Sequence, residues 1–74
     1  MSSDLAVHMQ TVWEHRKTGK RYRVIDTCII EKTWELAFIY VSAEDGAELV
    51  KIVRPVKEFL DGRFAYDATA NDGD

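Results

Sequence analysis

The sequence predicts a mainly β fold: a small antiparallel barrel of four to five strands with one short helical turn near residues 55–61. Three observations point there. Apolar and polar residues alternate with period two through short runs rich in Val, Ile, Thr and aromatic side chains. Glycine-bearing turns punctuate the runs, at Lys17-Thr18-Gly19-Lys20 and at Glu44-Asp45-Gly46. The two central runs are apolar on both faces in places, which suits a barrel whose outer face is covered or a contact between subunits.

The elements follow in order. Leu5, Val7 and Met9 alternate, so residues 1–10 read as a partly ordered lead-in. Thr11 to His15 is a short β-prone run, and Gly19 supplies the positive φ that a hairpin turn needs. Arg21 to Glu31 is the longest candidate strand. Tyr22, Val24, Cys28 and Ile30 fall on one face with Asp26 interrupting them, and Arg23, Ile25, Thr27 and Ile29 fall on the other. After the polar break Glu31-Lys32-Thr33, a third strand is expected from Trp34 to Val41, and a fourth from Ala47 to Val53.

Pro55 has no N–H to give a ladder, so the sheet stops there. Val56, Phe59 and Leu60 then stand at i, i+3 and i+4, the spacing of one helical turn with an apolar face. Gly62 terminates it, and Arg63 to Asp67 is expected to close the sheet. From Ala68 the residues are small and polar, so 68–74 reads as a disordered acidic tail. Residues 11–67 therefore form one small domain, an SH3-like or otherwise Greek-key barrel. Near closure would also protect its edges.

Seventy-four residues bury only a small core. The composition is still that of a folded chain, 46% hydrophobic and 11% aromatic, rather than a disordered one. The single cysteine, Cys28, forms no internal disulfide, which fits a reducing cytoplasm. No apolar run is long enough to span a membrane, and residues 1–10 lack the pattern of a signal peptide. A cytoplasmic protein with no membrane partner is the expectation.

Trp13-Glu14-His15, Gly19, Tyr22-Arg23-Val24, Thr33-Trp34-Glu35 running to Ile39-Tyr40, and Val53-Arg54-Pro55 with Phe59 four residues on form a pattern. It resembles the bacterial and phage family catalogued as domain of unknown function 1653, over roughly residues 11–60. The stretch Val53-Arg54-Pro55-Val56-Lys57-Glu58-Phe59 is its most specific part. The resemblance implies a small β fold of bacterial or phage origin and implies no activity.

Chemistry is sparse. Cys28 with His15 is the only thiol–imidazole pairing to consider, and Cys28 stands among Ile25, Ile29 and Ile30, where an apolar setting leaves a thiol inert. His8, His15 and Cys28 match no metal-ligand spacing, and no cofactor is implied. The expectation is a protein that is not an enzyme.

The net charge is −3, yet half of the ten basic residues fall in one stretch: Arg16, Lys17, Lys20, Arg21 and Arg23. These can neutralise phosphates, with Tyr22 among them to stack a base, although alternation with Val24 turns Tyr22 inward. The plainer alternative is a solvated hairpin tip. His15 is either a ligand contact or a hairpin histidine bonded to backbone. Arg54, pinned before Pro55, either grips a carboxylate or phosphate or pairs internally with Glu14, Glu31 or Glu35. Trp34 with Phe38 is a candidate partner surface, core packing being the alternative.

The expected function is a non-catalytic binding or interaction module, taking a protein partner, a second copy of itself or a small anionic ligand near the basic hairpin and Arg54. The alternative is a nucleic-acid binder using hairpin 16–23.

Overall fold

Strands form along the runs rich in β-branched and aromatic residues. The computed structural model describes residues 8–44 and 50–72. Its strands are β1 Val12–His15, β2 Arg21–Ile30, β3 Glu35–Ser42, β4 Ile52–Pro55 and β5 Phe64–Tyr66. A helical turn, α1 Val56–Phe59, joins β4 to β5, and a second, α2 Ala68–Asp72, follows β5. All pairings are antiparallel, in the order β4-β3-β2-β1-β5. The mainly β class is as predicted. The sheet curls without closing, because β4 and β5 are its two edges and do not pair.

The β1–β2 hairpin forms as its sequence predicts. The His15 amide donates to the Lys20 carbonyl at 2.8 Å, and the Gly19 amide donates back to the His15 carbonyl at 2.7 Å. Gly19 sits at φ 76°, where a side chain would be strained. The β2–β3 hairpin differs from expectation. Trp34 does not begin β3; it closes the turn at φ 60°, with its amide on the Ile30 carbonyl at 2.6 Å.

A bulge in β2 corrects the predicted faces. Val24 lies opposite Tyr40, but Asp26 lies opposite Ile39, so Ile25 has no cross-strand partner and the alternation reverses beyond it. Thr27, not Cys28, then shares the face of the buried Phe38, while Asp26 and Cys28 lie on the outer face opposite Ile39 and Ala37. The bulge lets Asp26 sit exposed, and Cys28 is half-buried outside the core rather than in it. The outer face remains apolar at β3: Ala37 and Val41 are buried there, beside a half-exposed Val53 on the β4 edge.

Val24, Phe38, Tyr40, Phe59 and Phe64 form the core, with Met9, Trp13, Tyr22, Ile52 and Val56 packed around them. Phe59 and Phe64 stack in parallel at 4.1 Å between ring centroids, and Phe38, Tyr40 and Trp13 meet Phe59 edge-on at 5.1, 5.3 and 5.4 Å. The helical turn thus sends Phe59 into the centre of the core. Val56 follows it, while Leu60 stays exposed. Lys57 fastens the same turn to β3 through Glu35 at 2.6 Å. That hydrogen bond, with a second from Thr33, holds the Glu35 carboxyl below its ordinary range.

The lead-in is part of the fold from His8, whose ring lies 5.9 Å from Trp13 and 5.5 Å from Phe38. Residues 1–7, the Asp45-Gly46 turn, the start of the expected fourth strand and residues 73–74 lie outside the described residues.

The expected disordered tail needs correction. Asp67 accepts the Ala70 amide through Oδ1 at 3.0 Å and so starts α2. Asn71 then reaches β1. Its Oδ1 accepts the Val12 amide at 2.8 Å, and its Nδ2 donates to the Val12 carbonyl at 2.9 Å. One side-chain amide thus imitates a strand partner for a residue that is 3% exposed.

Two outcomes follow. Phe59→Ala removes the ring on which the other core aromatics converge and should cost about 3–5 kcal/mol, enough to unfold most of so small a domain. Urea denaturation followed by circular dichroism reads it, with Phe59→Leu much closer to wild type. Asn71→Ala strands the Val12 amide and should lower stability by about 1–3 kcal/mol. An unchanged denaturation midpoint would show that α2 contributes nothing to the sheet.

Candidate functional site

The five cations of the hairpin do not share one surface. Arg21 forms an ion pair with Asp67 at 3.6 Å, and Arg23 donates to the Gln10 carbonyl at 3.2 Å. Lys20 and Arg21 line a depression of about 300 Å³ with Thr18, Gly19, Ala43 and Glu44, where an acidic side chain offsets them.

Arg16 and Lys17 belong elsewhere. With His15, Arg54 and Arg63 they line a second cavity, of about 370 Å³. Backbone pairing brings these residues together. β5 lies against β1 with Phe64 opposite His15, and the Arg16 amide donates to the Arg63 carbonyl at 2.9 Å. That sets Arg63 at the root of the hairpin, and β4 brings Arg54 to the same place.

The buried Phe64 is central to this arrangement. The His15 ring meets it edge-on at 4.9 Å, and the Arg54 guanidinium carbon lies 5.7 Å from its centroid. Arg54 Nε also donates to the Tyr40 hydroxyl at 3.4 Å, which raises its already high pKa, against a lowering by burial. The charge is therefore fixed at any working pH. Thr18 Oγ1 lies 3.4 Å from His15 Nδ1 and steadies the imidazole from the turn side.

Carboxylates answer part of this charge. Glu58 Oε1 stands 3.7 Å from an Arg54 terminal nitrogen and 3.8 Å from one of Arg63. Arg63 Nε is also 3.1 Å from Asp61 Oδ2. Arg54 does pair internally, but its partner is Glu58, not Glu14, Glu31 or Glu35. Arg16, Lys17 and Lys20 form no ion pair among the described residues.

Arg63 is the member that the sequence analysis misses. A signal existed: the predicted closing strand begins at Arg63, and drawing its pairing back onto the first strand would have placed that arginine beside the hairpin.

The proposed aromatic surface breaks apart. Phe38 is fully buried and cannot meet a partner, because the hairpin register turns it to the core face. Trp34 alone stays outside, 75% exposed at the tip of the β2–β3 turn. Cys28 and His15 are also far apart: the His15 amide bonds to Lys20 at the root of the hairpin, and Cys28 lies eight residues further along the chain, on the order of 25 Å at strand rise. Among the described residues no three His, Cys, Asp or Glu side chains gather as metal ligands would, and no helix is long and apolar enough to cross a membrane.

Comparison with known proteins gives no matching family model, no matching curated protein and no matching solved structure.

Trp34 and Phe38 should now behave oppositely. Trp34→Gly relieves a positive φ that costs a side chain about 1–2 kcal/mol, so stability should hold or rise by up to about 1 kcal/mol. Phe38→Ala should fall by about 3–5 kcal/mol. Thermal melting of both variants decides, and a destabilised Trp34→Gly would mean that the indole packs after all.

Proposed function

We propose that this protein is a non-catalytic binding module that holds an anionic group, carried by a protein partner or a small ligand, in the cavity of His15, Arg16, Lys17, Arg54 and Arg63. One observation carries the reading: three separate parts of an acidic chain send four permanent or near-permanent cations and an imidazole to one cavity. Cations usually spread over a surface to lower their mutual repulsion. Convergence is costly unless an anion joins them. Arginines suit the task because a guanidinium presents several donors in a fixed fork to an oxyanion. Trp34, exposed at the far hairpin tip, offers a protein partner a second point of contact. The resemblance to the bacterial and phage family, and a cytoplasmic location, belong to the same proposal.

The test is a titration of the full chain with phenyl phosphate, followed through the arginine Nε–H resonances. Arg54→Gln and Arg63→Gln should each weaken binding about tenfold or more, since a charge-assisted hydrogen bond contributes about 1.5–3 kcal/mol. Lys20→Gln should leave it within about twofold. Failure of wild type to bind any anion sinks the reading. The nucleic-acid alternative makes a different demand. Oligonucleotide binding should fall steeply between about 50 and 200 mM salt, and should be lost in a Lys20→Glu, Arg21→Glu variant while surviving in Arg54→Gln.

A further inference from the structure

Glu58 has a position that the binding role alone does not explain. A single oxygen of its carboxylate faces terminal nitrogens of both Arg54 and Arg63, at 3.7 and 3.8 Å. Both distances exceed those of a charge-assisted hydrogen bond, about 2.7–2.9 Å. The carboxylate therefore balances two arginines without hydrogen-bonding to either. The Nε of each arginine is meanwhile turned to another oxygen: the Tyr40 hydroxyl for Arg54, the Asp61 carboxylate for Arg63. Each guanidinium is thus held through its Nε, while one terminal nitrogen of each lies near a loosely placed anion that the protein itself supplies.

We infer that Glu58 is a tethered occupant of the arginine pair, and that the ligand which displaces it is a phosphomonoester dianion. The inference rests on the anion-binding reading above. A side chain on the same framework competes at an effective concentration on the order of millimolar or higher. A ligand carboxylate brings one charge and two oxygens, the same as Glu58, and gains nothing over it. A phosphomonoester brings a charge of about −1.5 to −2 and three acceptor oxygens near neutral pH. It can engage Arg54 and Arg63 together and still meet Arg16 or Lys17, which line the same cavity. Internal phosphodiesters of a nucleic acid carry one charge each and face the same threshold as a carboxylate. The cavity, about 370 Å³, lies near the small end of ligand pockets and suits one such group better than an extended ligand.

The experiment titrates wild type and Glu58→Gln with two probes of similar shape, phenyl phosphate and benzoate, reading the arginine Nε–H resonances and the Glu58 carboxylate carbon. Glu58 is partly exposed, and a melting curve checks that the variant is folded. In wild type, phenyl phosphate should bind at least tenfold more tightly than benzoate, and the Glu58 carbon should move as the probe saturates. Glu58→Gln should tighten both probes by about fivefold or more and bring benzoate into the measurable range. Asp61→Asn, which removes a carboxylate facing Arg63 alone, should have a clearly smaller effect. Comparing O-phospho-L-serine with a nucleoside 5′-monophosphate then separates a phosphopeptide source from a nucleotide source.

If Glu58→Gln leaves phenyl phosphate binding unchanged or weakens it, Glu58 positions the arginines instead of competing for them, and this inference falls alone. Equal binding of benzoate and phenyl phosphate to wild type overturns it in the same way. If neither probe binds wild type or variant, the anion-binding reading falls with it.

Discussion

The stack of Phe59 on Phe64 is the contact on which the rest of the structure depends. The sheet ends at β4 on one side and β5 on the other, and no ladder joins those edges. What draws them together is the helical turn between them, which plants Phe59 face to face with the first residue of β5 at 4.1 Å. Phe38, Tyr40 and Trp13 then pack edge-on around the same ring, in the geometry that aromatic quadrupoles favour. A chain of this length has little aliphatic bulk to bury, and it fills its centre with few, large side chains.

The cavity is a by-product of that stack. Arg54 lies two residues before the start of the turn, Glu58 and Arg63 directly flank the two stacked rings in sequence, and Phe64 meets both the His15 ring, edge-on, and the Arg54 guanidinium, over its ring. Fixing the two rings therefore fixes the spacing of the charged groups. A chain with an overall negative charge can hold a local positive field in this way, because its backbone geometry rather than its composition decides which charges become neighbours.

Much of the fold was legible in the residues. Gly19, Pro55 and the Val56/Phe59 spacing placed a hairpin, a strand end and a helical turn where the structure has them, since each acts through local sterics or periodicity. What was not legible depends on pairing. Asp26 interrupts an alternating face, and that interruption is itself the signal: Ile25 is the extra residue that shifts every later side chain of β2 to the opposite face. Trp34 and Phe38 read as one surface from their aromatic character and nearness in sequence, yet a turn conformation exposes one and the sheet register buries the other. Four of the five cavity residues, His15, Arg16, Lys17 and Arg54, were legible as a basic stretch and an arginine before a proline. Arg63 joined it through a backbone contact across 47 residues of sequence, which no local pattern encodes.

The grip of Asn71 on Val12 has a consequence for how the chain comes together. β1 is the first strand, yet its outer neighbour and the amide that completes its hydrogen bonding arrive last, with Asn71 lying 59 residues further on. Hairpins β1–β2 and β2–β3 close over short loops and can form early, whereas the contacts that finish β1 must first gather most of the chain. Completion of β1 thus waits on long-range closure, the slow kind of contact for a folding chain.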